Sequence, residues 1–250
     1  MLNLKDKVAI VTGAGSGFGE AIAKQFAKQG AKVAILDLNL QSAERVAREI
    51  GDSAIAIQVD VGDFDTVQTV VQQVSTQLGQ VDILVNNAGV THQNKPMLEV
   101  DEATFDHVFR VNVKSIFNFS HAVIPMMREQ KSGVILNIGS VAGIRPRPGL
   151  MWYNGSKGAV NMLSKSMAVE LAPWNIRVNA ICPTLGATGI LEAAMGVPDT
   201  PENRAKFIAT IPMGRFVEAD DVANAALYLV SDQASFITGV EFPVDGGRTV

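Results

Sequence analysis

Cysteine is almost missing from these 250 residues. The one thiol, Cys182, has no partner for an intrachain disulfide, and in the apolar stretch Ile176 to Pro183 it reads as a buried structural group. Histidine is nearly as scarce: His92, His107 and His121 show no metal-ligand spacing, so no metal site is expected. A net charge of -4 leaves no broad positive field, which argues against nucleic acid and anionic lipid as partners. No apolar run reaches the roughly 18 residues of a membrane span, and the N-terminus lacks a basic segment followed by an apolar stretch and cleavage site. Cytoplasmic residence is therefore expected. Low-complexity linkers, charge blocks and fixed-period repeats are also absent, so one domain spanning 1–250 is expected.

What is present is a folding composition, 47% hydrophobic and 18% charged. Short β-branched runs predict seven strands: Lys7 to Thr12, Lys32 to Asp37, Ala54 to Val59, Asp82 to Asn86, Val134 to Ile138, Ile176 to Ile181 and Val240 to Val244. Between them, Ala43, Val46, Ala47 and Ile50 repeat at helical spacing, as do Val67, Val70, Val71 and Val74. Gly30 and Gly79 follow such runs, where a residue tolerating positive φ ends a helix. Apolar strands joined by helices predict an α/β fold: one doubly wound, Rossmann-type domain with a seven-stranded parallel sheet. Thr184 to Pro212, rich in glycine and proline, reads as one long irregular stretch and a candidate substrate lid at about 184–212.

Strand Val8 to Val11 runs into Thr12-Gly13-Ala14-Gly15-Ser16-Gly17-Phe18-Gly19, which opens a helix. Glycines there permit a tight turn and bring main-chain N–H groups to a pyrophosphate at the helix N-terminus. A plain strand-to-helix turn is the alternative. Asp37 ends the second strand about 20 residues on, where a carboxylate can accept from ribose hydroxyls and repel a 2'-phosphate. Ser16 and Leu38 offer no compensating cation, which points to NAD; a helix cap is the alternative reading of Asp37.

Tyr153 and Lys157 lie four residues apart in a helical segment and so project from one face. An ammonium beside a phenol favours the phenolate, giving a usable acid/base; such a pair also arises by chance. Ser140, just past a strand end, can hold a substrate oxygen or merely cap a turn. Asn112, within a helical pattern, reads by itself as a surface amide.

Together these residues resemble the short-chain dehydrogenase/reductase family from Lys7 to Gly247, through Thr12-Gly13-x-x-x-Gly17-x-Gly19, Asn86-Asn87-Ala88-Gly89, and Ser140 with Tyr153-x-x-x-Lys157. The resemblance implies a catalytic tetrad of Asn112, Ser140, Tyr153 and Lys157, with Asn112 holding a water that links Lys157 to solvent. It implies a dinucleotide held by Gly13, Gly15, Ser16, Gly17, Phe18, Gly19, Asp37 and Leu38, with Asp60 and Val61 at the adenine. Asn87, Ala88 and Gly89 would line its ribose side, Tyr153 and Lys157 the nicotinamide ribose, and Pro183, Gly186 and Thr188 the nicotinamide. A homotetramer is implied through the C-terminal Val244-Asp245-Gly246-Gly247 and the helices around 101–128 and 151–171. After the sixth strand the family usually has Pro-Gly, whereas this chain has Pro183-Thr184.

The activity so implied is hydride exchange between NAD(H) and a secondary alcohol or ketone. The alternatives are an acyl-carrier-protein ketoreductase, against which Asp37 argues because those commonly prefer NADP, and a dinucleotide sensor without turnover. Ile144, Leu150, Trp152, Ile190, Leu191 and Met195 are candidates for an apolar substrate pocket, while Arg147 reads as a solvated loop arginine rather than an anion site.

Overall fold

The computed structural model describes residues 2–186, 189 and 191–250. Seven strands form one parallel sheet: β1 (Val8–Thr12), β2 (Lys32–Asp37), β3 (Ala54–Gln58), β4 (Ile83–Asn86), β5 (Gly133–Ile138), β6 (Ile176–Pro183) and β7 (Glu241–Val244). Their order is β3-β2-β1-β4-β5-β6-β7, so the chain winds outward from β1 in one direction and from β4 in the other. Parallel pairing sets Thr12 beside Leu36, Asp37 beside Gln58, and Asn86 beside Asn137. Where the winding reverses, between β1 and β4, the crossover connections diverge and a crevice opens at the strand ends.

Helices α1 (Gly17–Lys28), α2 (Leu40–Ile50), α3 (Phe64–Leu78), α4 (Glu102–Phe109), α5 (Ser115–Gln130), α6 (Met151–Leu171), α7 (Leu191–Met195), α8 (Pro201–Ile208) and α9 (Ala219–Val230) complete the fold. Alternate residues of each strand point to opposite faces. Ala9, Val11, Val33 and Ile35 therefore meet Ile22 and Phe26 of α1, Val46 of α2 and Val222 of α9. Val8, Ile10, Ala34 and Leu36 meet Val67, Val70 and Val74 of α3, Phe119 of α5 and Leu171 of α6. All five residues of β1 are buried, as a strand covered on both faces requires. Asn39 and Asp63 cap α2 and α3 by accepting from Ser42 and Thr66 main-chain N–H groups. Gly30 and Gly79 sit at φ +91° and +108°, conformations closed to other residues at low cost.

The stretch from Thr184 to Pro212 differs from its reading as continuous irregular chain. It contains α7 and α8, the latter opened by Pro201 and capped by Thr200, whose hydroxyl accepts from Asn203 N–H at 3.2 Å. Glycines and prolines at the helix boundaries hid these short elements. No helix among the described residues is long and apolar enough to cross a membrane.

Candidate active site

A cleft of about 870 Å³ follows the carboxyl ends of the strands across the switch between β1 and β4. Gly13, Ser16, Gly17, Phe18, Asp37 and Leu38 line one end. Asp60, Val61, Asn87, Ala88, Gly89, Pro183 and Gly186 continue the wall towards Ser140, Tyr153 and Lys157. Of the residues the sequence picks out, Gly15, Gly19 and Asn112 stand behind this surface, and Thr188 lies outside the described residues.

The turn after β1 is built around missing side chains. Gly13 and Gly17 have φ +61° and +58°. A Cβ on Gly13 would stand 2.9 Å from Ala88 Cα, and one on Gly19 would stand 2.4 Å from both Asn87 Nδ2 and Gly13 O. Asn87 Nδ2 donates to the carbonyls of Thr12 (2.8 Å) and Gly13 (3.1 Å), and Thr12 Oγ1 accepts from the N–H groups of Asn87 and Ala88, both at 3.0 Å. Thr12 thus pins β4 to the glycine turn, a role the sequence motif contains but does not explain. The result is a floor of bare main chain at the N-terminus of α1, which fits a dinucleotide pyrophosphate.

At the β2 end, Asp37 Oδ2 accepts from Gly15 N–H and Oδ1 from Asn39 N–H, each at 2.9 Å. Arg45 Nη2 donates to Gly15 O at 3.0 Å, a nearby cation that reading from Ser16 and Leu38 misses. Its charge is taken up by Glu20 (2.6 Å) and Glu49 (2.8 Å). Arg110, also overlooked in the sequence, lines the cleft and pairs with Asp60. Fifty residues of chain separate that pair, so no local pattern reveals it.

At the other end Tyr153, in the first turn of α6, is buried and lines the cleft. Ser140 follows β5 and caps a single 3-10 turn, Val141–Gly143, by accepting from Ala142 N–H at 3.0 Å. Lys157 Nζ donates to Ile138 O at 2.8 Å and lies 6.0 Å from the Tyr153 ring centroid. Burial pushes the Lys157 ammonium down to about 8. Burial also raises the Tyr153 phenol, while the Ser140 hydroxyl and the Arg147 charge oppose that rise. The Lys157 ammonium is turned onto a carbonyl in the same water-poor pocket.

Asn112 is not a surface amide. It is buried in one turn of π-helix, Arg110–Lys114, between α4 and α5. Its Oδ1 accepts from Val90 N–H at 2.8 Å, and its Nδ2 donates to Val90 O and to Ser156 Oγ, both at 2.9 Å. The fold demands an amide there, because it satisfies both main-chain groups of Val90 at once. Ser156, unremarked in the sequence, in turn donates to Tyr153 O at 2.8 Å.

The substrate-side expectations divide. Leu150 lines the cleft, but Trp152 packs edge-on against Phe105, Ile144 is exposed, and Leu191 and Met195 pack with Ile211 and Phe216. Ile190 lies outside the described residues. Arg147 lines the cleft and stacks over Phe207 at 4.8 Å, so it is no freely solvated arginine. Cys182 is buried and its thiol is pushed up to about 12, as expected of a structural thiol.

Residues 13–249 match the family model described as enoyl-(acyl carrier protein) reductase. The chain is 46% identical, over 100% of both chains, to 4-formylbenzenesulfonate dehydrogenase of Comamonas testosteroni. Among solved structures it resembles a 3-ketoacyl-(acyl-carrier-protein) reductase from Brucella melitensis complexed with NADH, with TM-score 0.94, 46% identity and coverage of 99% of this chain and 100% of that one. A gluconate 5-dehydrogenase from Burkholderia cenocepacia J2315, in complex with NADP and tartrate, aligns with TM-score 0.92, 32% identity and coverage of 99% and 97%. With this fold, this cleft and these relatives, the chain belongs to the short-chain dehydrogenase/reductase family and is a nicotinamide-dinucleotide-dependent oxidoreductase of alcohols and ketones.

Proposed function

We propose that the protein exchanges hydride between NAD(H) and a secondary alcohol or ketone, with Tyr153 as the acid/base. The observation that carries this reading is one continuous cleft with the Asp37 carboxylate at one end and the Tyr153 phenol beside Ser140 at the other. The glycine turn, Asp37, Asp60, Asn87 to Gly89 and Lys157 would hold the dinucleotide, with Pro183 and Gly186 towards its nicotinamide. When bound, the nicotinamide accepts or returns the hydride and, oxidised, adds positive charge to the pocket.

In oxidation Tyr153 takes the hydroxyl proton; in reduction it donates one. Ser140 holds the substrate oxygen against that phenol. Positioning supplies much of the rate, because acid/base catalysis alone contributes only roughly 10²- to 10⁴-fold. The proton leaves through Lys157. Asn112, whose amide is held by Val90 and Ser156, would hold the water that links Lys157 to solvent, a reading supported by its place in a π-turn, a feature frequent at functional sites.

Helices α7 and α8 form the substrate lid of a single domain, a role supported by Ala194, Phe207, Thr210 and Ile211 on the cleft wall. Thr184 also lines the cleft, where its N–H donates to Val244 O at 3.2 Å. A homotetramer is the assembly we infer, since α6 leaves Met151, Met162 and Val169 exposed and α5 leaves Phe117 exposed. Cytoplasmic residence belongs to the same reading and suits an unpaired buried thiol.

Similarity to a 3-ketoacyl-(acyl-carrier-protein) reductase complexed with NADH favours, as a second reading, reduction of a 3-oxoacyl thioester. The experiment that tests both is a panel of alcohols, ketones and a 3-oxoacyl thioester with NAD(H) and NADP(H), followed by nicotinamide absorbance. Turnover with any member of the panel would exclude a dinucleotide sensor.

A further inference from the structure

Arg45, Arg48, Arg110, Arg204 and Arg215 each pair with a carboxylate, whereas Arg128 stacks over Trp174 and Arg177 donates to main-chain carbonyls. Arg145, Arg147 and Arg248 are set apart by where they lie. All three line the cleft, and none has a carboxylate within salt-bridge distance among the described residues. The Arg147 guanidinium has no hydrogen-bond partner among the described residues and is held 4.8 Å over the Phe207 ring of α8. Burial and the charge of Arg248 loosen its proton, and the Tyr153 position also registers its field.

The backbone around these arginines is built rather than loose. Pro146 and Pro148 restrict the chain on either side of Arg147. Asn154, the residue after Tyr153, donates through Nδ2 to Arg147 O at 2.8 Å. Asp245 organises the C-terminal turn, accepting from Gly247 N–H at 3.0 Å and Thr249 N–H at 2.8 Å, and Arg145 Nη1 closes it by donating to Arg248 O at 2.8 Å. Arg147 is half-buried with the charge of Arg248 beside it and no anion to offset it, an arrangement that is unfavourable unless a ligand supplies one.

Resting on the alcohol/ketone reading above, we propose that Arg147, with Arg248 beside it, anchors a carboxylate or sulfonate on the substrate. The substrate class is then an anionic alcohol or carbonyl compound, its apolar body against Leu150, Leu185, Phe207 and Ile211 and its reacting oxygen at Tyr153. A guanidinium fork matches either anion with two parallel hydrogen bonds.

The test is calorimetric titration of 4-acetylbenzoate, 4-acetylbenzenesulfonate and methyl 4-acetylbenzoate into the enzyme saturated with NAD+, with 4-oxopentanoate and its methyl ester as a short-spacer set. At least one anion should bind at least about tenfold more tightly than its ester, the lower end of what a charge-assisted pair contributes. Arg147→Met should bring that ratio close to one, and Arg147→Lys should recover part of it. The affinity for NAD+ itself should move less than about threefold in both variants, within ordinary context effects. Comparing carboxylate with sulfonate identifies the preferred anion. Equal binding of acids and esters, no binding of any anion, or an equal loss of NAD+ affinity in Arg147→Met would each overturn the proposal. Arg147-dependent anion binding without consumption of NADH would sustain the anion site and sink the oxidoreductase substrate reading instead.

Discussion

The main-chain N–H of Gly15 donates to Oδ2 of Asp37 at 2.9 Å, joining the glycine turn to the end of β2 through a carboxylate. Each carboxylate oxygen keeps capacity to accept a further hydrogen bond, which a ribose diol can supply and a phosphate cannot. The cation at this end, Arg45, is already committed to Glu20 and Glu49.

NAD(H) should therefore be preferred over NADP(H), by at least about tenfold in kcat/KM, since an uncompensated carboxylate repels the added phosphate. Asp37→Ser combined with Leu38→Arg should erase or reverse the preference. Gly15→Ala is a subtler probe: its Cβ would stand 2.8 Å from Asp37 Oδ2, displacing the carboxylate without deleting it. Steady-state kinetics with both cofactors provide the measurement, and a wild-type preference for NADP(H) would contradict the assignment.

Tyr153→Phe removes one hydroxyl while keeping the buried ring nearly unchanged in volume. Turnover should fall by roughly 10² or more, and NAD(H) affinity, read from nicotinamide fluorescence, should barely change. Wild-type turnover in this variant would move the proton transfer to Ser140.

The strands were legible because β1 and its neighbours are buried on both faces, which leaves continuous apolar runs such as Val8 to Val11. The glycine turn was legible because main-chain approach needs glycine at fixed places. What escaped was set by contacts distant in sequence. Nothing near Arg147 announces that the fold brings Phe207 over its guanidinium, and nothing near Asp60 announces Arg110. Asn112 is reached through the family resemblance alone, and its burial escapes for a different reason: a π-turn has no sequence signature, and the amide's worth lies in satisfying Val90, which is 22 residues away. Helices α7 and α8 were obscured by the glycines and prolines that bound them.

Met162 and Val169 of α6 stand 59% and 80% exposed, and Phe117 of α5 is 52% exposed, beside Phe64 and His121. A face of that kind is ordinarily covered. Light scattering at micromolar concentration should report about four times the 26.6 kDa chain mass. Met162→Glu or Phe117→Glu should lower that mass, because a charge buried between subunits without a partner is costly. A wild-type monomer at every accessible concentration would refute the assembly.

Lys157 provides the last test, because its position requires a cation where the fold disfavours one. Its ammonium falls from the ordinary 10.5 to about 8, chiefly through burial. A base whose folded value is depressed binds fewer protons than the unfolded chain between those two limits. Stability must then rise with pH across about 8 to 10.5, and the penalty is present in full below pH 8. Its size is on the order of 3 kcal/mol, equivalent to several degrees of Tm in a chain of this length. Lys157→Met abolishes that titration, although it leaves Ile138 O without its donor, a cost of about 1 to 3 kcal/mol that does not depend on pH. The difference in Tm, wild type minus variant, measured without added cofactor, should therefore increase from pH 7 to pH 10. On the proposed reading, in which Lys157 serves both the ribose and the proton route from Tyr153, the same substitution should also weaken NAD(H) binding and suppress turnover. A difference in Tm that stayed flat across this range would mean that Lys157 keeps an ordinary proton affinity in the folded protein. The fold would then hold that ammonium without strain, and the loosely held proton assigned to the relay would have to be sought elsewhere.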